Sequence, residues 1–501
     1  MKVLYIAAEC KPFSKVGGVG DVAGELPLAL QEQGVDIEIV TPLYEGGSAL
    51  LSAEKLAQIH ETRYRLPFRD QAGETREETV DLYRWKPDRD FRVPVSFVAN
   101  PTYFGGKYAK PYIVSEFIPY FDDALRFSFF SQACLQLIRE RKPDIVHIND
   151  WPLGTLFGWM VREGLPAKRV LTVHNIGYQG NLGIQTVKDW NLADLIQDPQ
   201  TGPLFLDPHV EWNSVNALRL GLELSDRVNT VSPTYSREML QPEDPERYFE
   251  GGKGLEAVTC RLEKEGKLVG ILNGFEYKSG GEASAFERTL EQKTAMKQAL
   301  GKDFKDPDAF LLGFVGRAVE QKFKLLAENL EGRSVLEHIL DLPGVNVAIV
   351  ANGVPEYEQF LGRIKALGQE NCSITIAFDK SRAEQISKGS DVFLMPSLFE
   401  PCGITQMESL SNATPPLVRW TGGLVDTVIP HTQPDGTGFG FDGDTREEVL
   451  LNLIHSVREA LALFRDHRED FKALQRRGYA QRFLWSTSAN EYIERLYRPV
   501  L

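Results

Sequence analysis

Short apolar runs that alternate with longer amphipathic stretches constrain the fold of this chain more than any other feature. Seven such runs lie in the first half of the chain, at residues 2–8, 36–42, 94–100, 144–149, 169–174, 226–232 and 268–274. Each run is continuously apolar, which is typical of strands that are covered on both faces of a sheet. Between two of them, residues 122–141 carry apolar side chains at helical spacing. The alternation predicts a parallel, doubly wound α/β sheet.

The alternation stops at one polar segment and then begins again. Residues 276–285, EYKSGGEASA, are rich in glycine and serine and predict a linker. After this segment, apolar runs at 310–317, 345–353, 373–379, 391–397 and 415–420 predict a second sheet. A chain of 501 residues is also too long for one core, since domains usually hold about 100–200 residues.

We therefore predict an α/β protein with two Rossmann-like, doubly wound domains, at 1–278 and 286–480. Two such domains that face each other would place the carboxyl ends of both sheets around a central cleft, where open α/β sheets bind their ligands. The end of the chain, 481–501, predicts a short helix. The pattern does not assign this helix to a domain, and one option is that it crosses back to the N-terminal domain.

The charge balance narrows the class of partner. Lys and Arg number 56 against 70 Asp and Glu, which gives a net charge of −14. Nucleic acid and anionic membranes need a cationic face, so neither is expected as the main partner. A small anionic ligand held by a few local cations remains compatible with this balance. Nothing in the sequence indicates an oligomeric state.

Cysteine usage and hydropathy indicate the compartment. The five cysteines are scattered without a C-x-x-C pair, which predicts reduced thiols and no zinc site. Glu9 ends the first apolar stretch early, and no apolar run approaches the roughly 18 residues that a membrane span needs. We expect a cytoplasmic protein, or one of a plastid-like compartment in a photosynthetic eukaryote, although no transit peptide is visible.

A glycine-rich turn follows the first apolar run, in SKVGGVGDVAGELPLAL at 14–30. A dinucleotide fingerprint would follow its strand directly and would need an acidic residue at the end of the second strand. Here ECKPFSK intervenes and IEIVTP ends without an acid, so a nicotinamide-dependent dehydrogenase is disfavoured. The turn has two remaining interpretations. Its glycines and Lys15 receive an anionic ligand at a helix N-terminus, or they form a tight turn with a solvated lysine.

Charged residues of the second half suggest a partner for that turn. Arg317 and Lys322, in GRAVEQK, come just after a predicted strand and would clamp a diphosphate, or they are ordinary surface cations. Glu400 and Glu408 are eight positions apart, a little over two turns of a helix that begins near Gly403. Carboxylates accept hydrogen bonds from the hydroxyls of sugars and riboses, although many helices carry such a pair on a solvated face.

The second half of the chain contains a glycine-rich turn at the start of a predicted helix, as the first half does. In RWTGGLVDTV, Gly422 and Gly423 open a predicted helix directly after an apolar run.

Taken in order, eight segments resemble bacterial glycogen synthases and plant starch synthases: KVGGVGDVAGELP, HIND-W, LTVHNIGYQG, NTVSPTYSREM, GILNG, R-x-x-x-QK, DVFLMPSLFEPCGITQ and TGGLVDTV. These are GT-B glycosyltransferases that extend α-1,4-glucan from ADP-glucose, and the resemblance covers essentially the whole chain. It implies a GT-B fold and a retaining transfer of glucose to the non-reducing end of the glucan. It also implies that ADP-glucose is a substrate and that no cofactor is needed.

The resemblance also implies roles for individual residues. Arg317 and Lys322 match the phosphate-binding Arg and Lys, and Glu400 matches the glutamate near the donor sugar. His174 matches the histidine near the glucose, and Asp150 matches the aspartate of H-x-x-D-W. These five are the candidate catalytic residues. The candidate donor-binding residues are Lys15, Gly17, Gly18, Asn273, Cys402, Gly403, Glu408, Gly422 and Gly423, and no metal ligand is expected.

The implied mechanism follows from charge. Cleavage of the anomeric C–O bond leaves a nucleoside diphosphate with developing negative charge, which fixed cations and two helix N-termini would stabilise without a divalent metal. A glucan 4-hydroxyl would attack the oxocarbenium-like centre from the face that the diphosphate leaves.

The chain departs from the family pattern at several places. H-x-H-D-W-H becomes H-I-N-D-W-P, with Asn149 and Pro152, and Phe323 replaces the glycine of QKG. The segment after L-N-G, at 275–285, also differs, and Glu408 stands where the family often has tyrosine. Three alternatives therefore stay open: another nucleotide-glucose as donor, a small acceptor, or a non-catalytic relative that binds glucan or nucleotide. Retention of Lys15, His174, Arg317, Lys322 and Glu400 together disfavours the non-catalytic reading.

Overall fold

The computed structural model describes residues 1–70, 72–111, 121–277 and 283–501, and at 121, 283 and 284 the backbone alone. The chain forms two compact units. Unit 1 comprises Met1–Pro242, Gly251–Gly274 and Leu484–Leu501, and unit 2 comprises Glu243–Glu250 and Phe275–Phe483. Of the predicted linker, 278–282 lie outside the described residues. No helix of the described ranges has the length and apolar character that crossing a membrane requires.

Unit 1 contains eleven of the described strands. They are β1 Lys2–Ile6, β2 Asp36–Pro42, β3 His60–Arg69, β4 Thr75–Trp85, β5 Val95–Ala99, β6 Ile145–Asn149, β7 Lys168–Val173, β8 Asn181–Gly183, β9 Ser214–Asn216, β10 Arg227–Thr230 and β11 Leu268–Gly270. The helices between them are α1 Gly18–Glu32, α2 Ala53–Ile59, α3 Pro101–Phe104, α4 Phe121–Arg141, α5 Gly154–Arg162, α6 Ile184–Val187, α7 Leu192–Gln197, α8 Gly202–Phe205, α9 Ala217–Leu224, α10 Pro233–Glu238 and α11 Glu256–Lys264.

The main sheet of unit 1 has nine strands in the order β11-β10-β7-β6-β1-β2-β5-β4-β3. The seven apolar runs predicted from the sequence form its parallel part, and β8 and β9 form a separate ribbon. The prediction of a purely parallel sheet was wrong at one edge, because β4 pairs antiparallel with both β5 and β3. Side chains along β3 alternate between exposed and partly buried, so this hairpin lacks the continuous apolar run that marked the other strands.

Unit 2 is built around an all-parallel sheet of six strands. The described strands are β12 Phe310–Ala318, β13 Asn329–Leu330, β14 Arg333–Ser334, β15 Val345–Gly353, β16 Cys372–Thr375, β17 Val392–Met395, β18 Pro416–Arg419 and β19 Phe439–Phe441. The helices are α12 Ala283–Gly301, α13 Glu320–Ala327, α14 Val335–Leu340, α15 Pro355–Ala366, α16 Lys380–Gly389, α17 Thr405–Ser411, α18 Gly423–Thr427, α19 Arg446–Asp466 and α20 Arg468–Ala480. All five runs predicted for this half are strands of the sheet, while β19 was not predicted.

Both sheets have the Rossmann strand order. In unit 2 the order is β16-β15-β12-β17-β18-β19, and the parallel strands of unit 1 follow the same winding. The direction of winding reverses between β1 and β6 in unit 1 and between β12 and β17 in unit 2. Open α/β sheets bind ligands at the carboxyl ends of the strands beside such a switch point. Each unit therefore has one defined edge at which to look for a site.

The last eighteen residues fold with unit 1. Helix α21, Trp485–Glu491, continues as a π-helix over Tyr492–Tyr497. Tyr492 and Tyr497 are fully buried in the core of unit 1. A Cβ on Gly274 would lie 2.5 Å from the backbone nitrogen of Trp485, so glycine at this position allows the segment its close approach.

Candidate active site

The candidate residues of unit 1 lie at the carboxyl ends of its strands. Lys15 follows β1, Asp150 follows β6, His174 follows β7 and Asn273 follows β11. Strands β1, β6 and β7 are neighbours in the sheet, and the switch point lies between the first two. The fold therefore gathers residues that are far apart in the sequence at one edge.

The glycine-rich turn rests on a carboxylate that the sequence analysis did not assign. Glu9 is fully buried, and its carboxylate accepts hydrogen bonds from the backbone N–H groups of Val16 and Gly17. Burial raises the pKa of Glu9, while those hydrogen bonds partly oppose the shift. One of the two interpretations of this turn has an anionic ligand at its helix N-terminus, where free N–H groups would bind it. In the structure two of them are already bonded to Glu9.

The glycines of the turn differ in what surrounds them. A Cβ on Gly24 would lie 2.6 Å from the carbonyl oxygen of Lys11 and one on Gly17 would lie 3.3 Å from Glu9 Oε1, whereas a Cβ on Gly18 meets nothing within 4 Å. Gly24 is thus needed for packing, and Gly18 borders open space. Lys15 is half-exposed and forms an ion pair with Asp21 at 2.6 Å.

Asp150 holds the backbone at the end of β7. Its Oδ1 accepts hydrogen bonds from the N–H groups of His174, at 2.6 Å, and Asn175, at 3.4 Å. Asp150 has φ +57°, a backbone region that non-glycine residues enter rarely and that often marks functional sites. Burial raises the pKa of Asp150 to about 7 against these hydrogen bonds.

The raised pKa of Asp150 predicts a pH-dependent stability. An unfolded aspartate ionises near pH 4, but the folded protein keeps this proton up to about pH 7. The folded state therefore binds more protons in that window, and the free energy of unfolding should fall by roughly 2–4 kcal/mol as pH rises through it. In Asp150→Asn the amide oxygen can still accept the backbone hydrogen bonds, and this contribution should disappear.

Urea unfolding of both proteins from pH 4 to pH 8 measures the difference. We expect the variant to be more stable than the parent at pH 8 and the two to converge at pH 4. Parallel stability curves for the two proteins would show that Asp150 titrates normally.

His174 is held by Asn149. The Nε2 atom of His174 lies 2.9 Å from Asn149 Oδ1, and burial lowers the pKa of His174 to about 3. The imidazole is therefore neutral at physiological pH. In the sequence, Asn149 is visible only as a departure from a motif. In the structure, its side chain is in direct contact with the candidate histidine.

Asn273 has an unsatisfied polar atom. Its side chain is buried, and its Oδ1 has no hydrogen-bond partner among the described residues. A buried amide oxygen without a partner costs free energy. An unsatisfied oxygen at this place, beyond the end of β11, is suited to accept a hydrogen bond from a hydroxyl or N–H group of a bound ligand.

The candidate residues of unit 2 also lie beside its switch point. Arg317 is the penultimate residue of β12, Lys322 is in the first turn of α13, and Glu400 follows β17. The Nζ of Lys322 forms an ion pair with Glu400, which is 7% exposed and also accepts a hydrogen bond from Ser397 Oγ at 3.1 Å. Arg317 is exposed and makes no ion pair with any residue that the structure describes. The predicted pair of cations is thus present, with one member held by the predicted glutamate and one open to a ligand.

The E-P-C-G segment packs directly on the second pair of glycines. A Cβ on Gly422 would lie 2.1 Å from the carbonyl oxygen of Glu400, and one on Gly423 would lie 2.3 Å from that of Cys402. The N–H of Gly423 donates to the Glu400 carbonyl at 2.9 Å. Helix α18 does begin at Gly423, as predicted. These glycines, however, are required first for close packing against the segment that carries Glu400.

Gly403 and Gln406 fix the backbone at the end of the E-P-C-G segment. Gly403 has φ +74°, and the Nε2 of Gln406 donates to the carbonyl oxygens of Cys402 and Gly403, each at 3.0 Å. The Oε1 of Gln406 is buried and has no hydrogen-bond partner in the described part of the chain. The backbone that follows Glu400 is therefore fixed by a side chain that sequence reasoning did not select.

The two predicted carboxylates differ in environment. Glu408 lies in α17, which begins at Thr405, and its side chain is exposed, whereas Glu400 is buried. The structure does not show them converging on one point. Their roles stay a prediction.

Phe323, one of the departures from the family pattern, lies in the hydrophobic core of unit 2. Phe323, which replaces a glycine, is fully buried and packs edge-on against Phe314, Tyr357 and Phe360 at ring-centroid distances of 5.4, 5.7 and 6.0 Å. Its side chain therefore fills the interior of unit 2 rather than the edge that bears Lys322. The described residues also contain no group of three or more His, Cys, Asp or Glu side chains that could hold a metal ion.

Comparison with known families agrees with this arrangement. The model of the starch synthase catalytic domain matches residues 2–260, and that of glycosyl transferases group 1 matches residues 296–472. The glycogen synthase of Anaeromyxobacter sp. (strain Fw109-5) is 34% identical to this chain, over 100% of this chain and 99% of its own length. That of Clostridioides difficile (strain 630) is 33% identical, over 100% of both chains.

Solved structures give the same result. The catalytic domain of starch synthase IV from Arabidopsis thaliana, bound to ADP and acarbose, is similar with a TM-score of 0.77 and 26% identity, over 100% of this chain and 99% of that one. A sucrose-phosphate synthase from Thermosynechococcus elongatus, at a TM-score of 0.58 and 15% identity over 100% and 99% of the two chains, shares the fold.

The two family models and the similarity to the starch synthase IV structure show a glycosyltransferase of the GT-B fold class. Full-length identity above 30% then shows that the chain belongs to the glycogen synthase family. The predicted fold class and the resemblance are both confirmed.

Proposed function

We propose that this glycosyltransferase transfers glucose from ADP-glucose to the non-reducing end of an α-1,4-glucan with retention of anomeric configuration. The observation that carries the proposal is the set Arg317, Lys322 and Glu400 beside the switch point of unit 2. Two cations suit the charge that develops on a leaving diphosphate, and a carboxylate suits the hydroxyls of the donor sugar.

Unit 1 supports the same chemistry. The neutral imidazole of His174 and the unsatisfied Asn273 oxygen can exchange hydrogen bonds with sugar hydroxyls. We assign these two to the transferred glucose, and Lys15 with Gly18 to the approach of the donor. The starch synthase IV structure with ADP and acarbose favours adenine as the base and a glucan as the acceptor.

Incubation of the purified protein with ADP-glucose or UDP-glucose, each with and without glycogen, tests the proposal. We expect glycogen-dependent release of ADP and elongation of the glucan, and slower release of UDP. Release of nucleoside diphosphate only with a small sugar acceptor would support a different acceptor. Binding of glycogen without turnover of either donor would support a non-catalytic relative.

Substitution of Gly18 should change the binding of the donor without changing the folding stability of the protein. A methyl group at this position meets nothing in the protein within 4 Å, so Gly18→Ala should fold with unchanged or slightly higher stability. If the donor approaches this glycine, the donor KM should rise about tenfold or more while kcat changes little. Gly362→Ala in α15 is the matched control, since a Cβ there also meets nothing within 4 Å. An unchanged donor KM in Gly18→Ala would remove this turn from the donor site.

The proposal also predicts independence from divalent metal. Fixed cations perform the charge stabilisation that a magnesium ion provides in other transferases. Turnover measured in excess EDTA should therefore match turnover in untreated enzyme. Loss of activity that added Mg²⁺ restores would contradict the assignment of Arg317 and Lys322.

A further inference from the structure

The amide of Asn149, the last residue of β6, has a fixed orientation. Its Nδ2 donates to the carbonyl oxygen of Ile6 at 3.0 Å, and its Oδ1 accepts from the hydroxyl of Tyr5 at 2.9 Å. The side chain is 1% exposed. A flipped amide would place two donors against the Tyr5 oxygen and His174 and would leave the carbonyl of Ile6 facing an acceptor. The oxygen therefore points at His174.

This orientation determines the tautomer of His174. Asn149 Oδ1 lies 2.9 Å from His174 Nε2, and an amide oxygen can only accept. The Nε2 atom must then carry the proton, and in the neutral ring Nδ1 keeps its lone pair. Among the residues that the structure describes, Nδ1 has no hydrogen-bond partner.

We propose that Asn149 is a positioning residue that holds His174 as the Nε2–H tautomer, so that Nδ1 faces the ligand as a hydrogen-bond acceptor. Its consequence for catalysis rests on the proposed function, but the tautomer itself does not. At this place the family motif carries histidine, a residue that can itself titrate and change between donor and acceptor. An asparagine keeps the same hydrogen-bond direction at every pH.

The titratable neighbours of His174 do not compete with this arrangement. Among the described residues, the Asp150 carboxylate accepts from the backbone N–H groups of His174 and Asn175 and from no side chain, and Tyr5 donates to Asn149. His147, on β6, is engaged on both nitrogens, with Tyr497 at Nδ1 and Thr172 at Nε2, each at 2.7 Å.

The direction of these bonds is determined as well. Asn229 Nδ2 donates to the carbonyl oxygen of Thr230 at 3.4 Å, an atom that can only accept, and to the hydroxyl of Tyr492 at 2.9 Å. Its Oδ1 therefore faces Thr172, whose Oγ1 donates to it at 2.5 Å. Thr172 must therefore accept from His147 Nε2, and Tyr497 must donate to His147 Nδ1. His147 is neutral and bonded at both ring nitrogens. The hydrogen bond that His174 Nε2–H donates to Asn149 Oδ1 is therefore the contact that sets the tautomer of His174.

Nitrogen-15 NMR of the histidine-labelled protein tests the tautomer directly. The chain has eight histidines, and His174→Gln identifies the signal of interest by its disappearance. We expect His174 to give the shifts of an Nε2–H, Nδ1-bare ring across the range of about pH 5–8. Asn149→Leu removes the acceptor and should give a mixture of tautomers. Tyr5→Phe is the matched control, because it removes the other hydrogen bond to Asn149 Oδ1 and should leave the His174 signal unchanged.

Kinetics connects the tautomer to the reaction. Asn149→Leu should lower kcat about tenfold or more, the loss expected for one hydrogen bond, while donor KM changes less. Asn149→Asp places a carboxylate against Nε2–H, which favours the imidazolium, so the acidic limb of kcat/KM should move up by roughly 1–3 pH units. A purely structural role would lower the stability of these variants without moving that limb.

The outcomes separate the two claims. An Nδ1–H ring in the parent protein, or an unchanged His174 signal in Asn149→Leu, would overturn the positioning role even in an active enzyme. The expected signals in a protein that transfers no glucose would retain the role of Asn149 and overturn the proposed function.

Discussion

Replacement of Arg317 or Lys322 by alanine should lower kcat by roughly two to three orders of magnitude, the loss expected when a fixed charge partner of the leaving group is removed. Arg317→Ala is the cleaner of the two changes, because the side chain is exposed and makes no ion pair with the described residues. Lys322→Ala also leaves Glu400 buried without its cation, so its loss of activity includes a structural part. Steady-state kinetics with ADP-glucose measures both variants.

Lys324→Ala provides the matched control for these variants. Lys324 lies on the same helix as Lys322, and it pairs with Glu320 at 2.6 Å. Its removal should leave kcat within about twofold of the parent value, since an exposed ion pair contributes little. A parent-like kcat in both Arg317→Ala and Lys322→Ala would remove these cations from the mechanism.

The two carboxylates of unit 2 should separate kinetically. Glu400→Gln should mainly depress kcat, because a hydrogen bond to the transferred sugar strengthens as charge develops in the transition state. Glu408→Gln should mainly raise the donor KM, because a bond to the ribose is equally strong in the ground state and the transition state. The environments agree with this division: Glu400 is buried beside Lys322, and Glu408 is exposed on α17.

Glu400→Gln keeps the size of the side chain and one acceptor oxygen, but it replaces the other oxygen with an NH2 donor and loses the ion pair with Lys322. A double-mutant cycle with Lys322→Ala therefore measures how much of the effect passes through that pair. Collapse of kcat with unchanged donor KM in Glu408→Gln would show that the roles are reversed. No effect in either glutamine variant would remove both carboxylates from the donor site.

The strands could be predicted from the sequence wherever both faces of a strand are covered. Continuous apolar runs such as 36–42 and 345–353 correspond to β2 and β15 residue for residue. The hairpin of β3 and β4 was missed because a strand with one solvated face has alternating polarity. The same alternation, bounded by the turn after Arg69, is the signal that could have revealed it.

The candidate site could be predicted only in part. Motif positions named Lys322 and Glu400, but the contact between them joins residues 78 positions apart, and no local pattern encodes it. Glu9 was seen as the end of an apolar stretch, since burial beneath a turn leaves no trace in composition. The bond between Tyr497 and His147 spans 350 positions. Contacts of this kind depend on the winding of the sheet and on the return of the last segment to unit 1.

Transfer from a donor labelled with carbon-13 at the anomeric carbon tests the central claim most directly. The protein is incubated with labelled ADP-glucose and a short α-1,4-glucan, and the anomeric NMR signal of the early product is recorded. We predict one new signal beside that of the remaining donor, from an α-1,4-linked glucose at the non-reducing end, and no other labelled product. A β-linked product, free labelled glucose as the only product, or no labelled product at all would contradict retaining glucan synthesis by this chain.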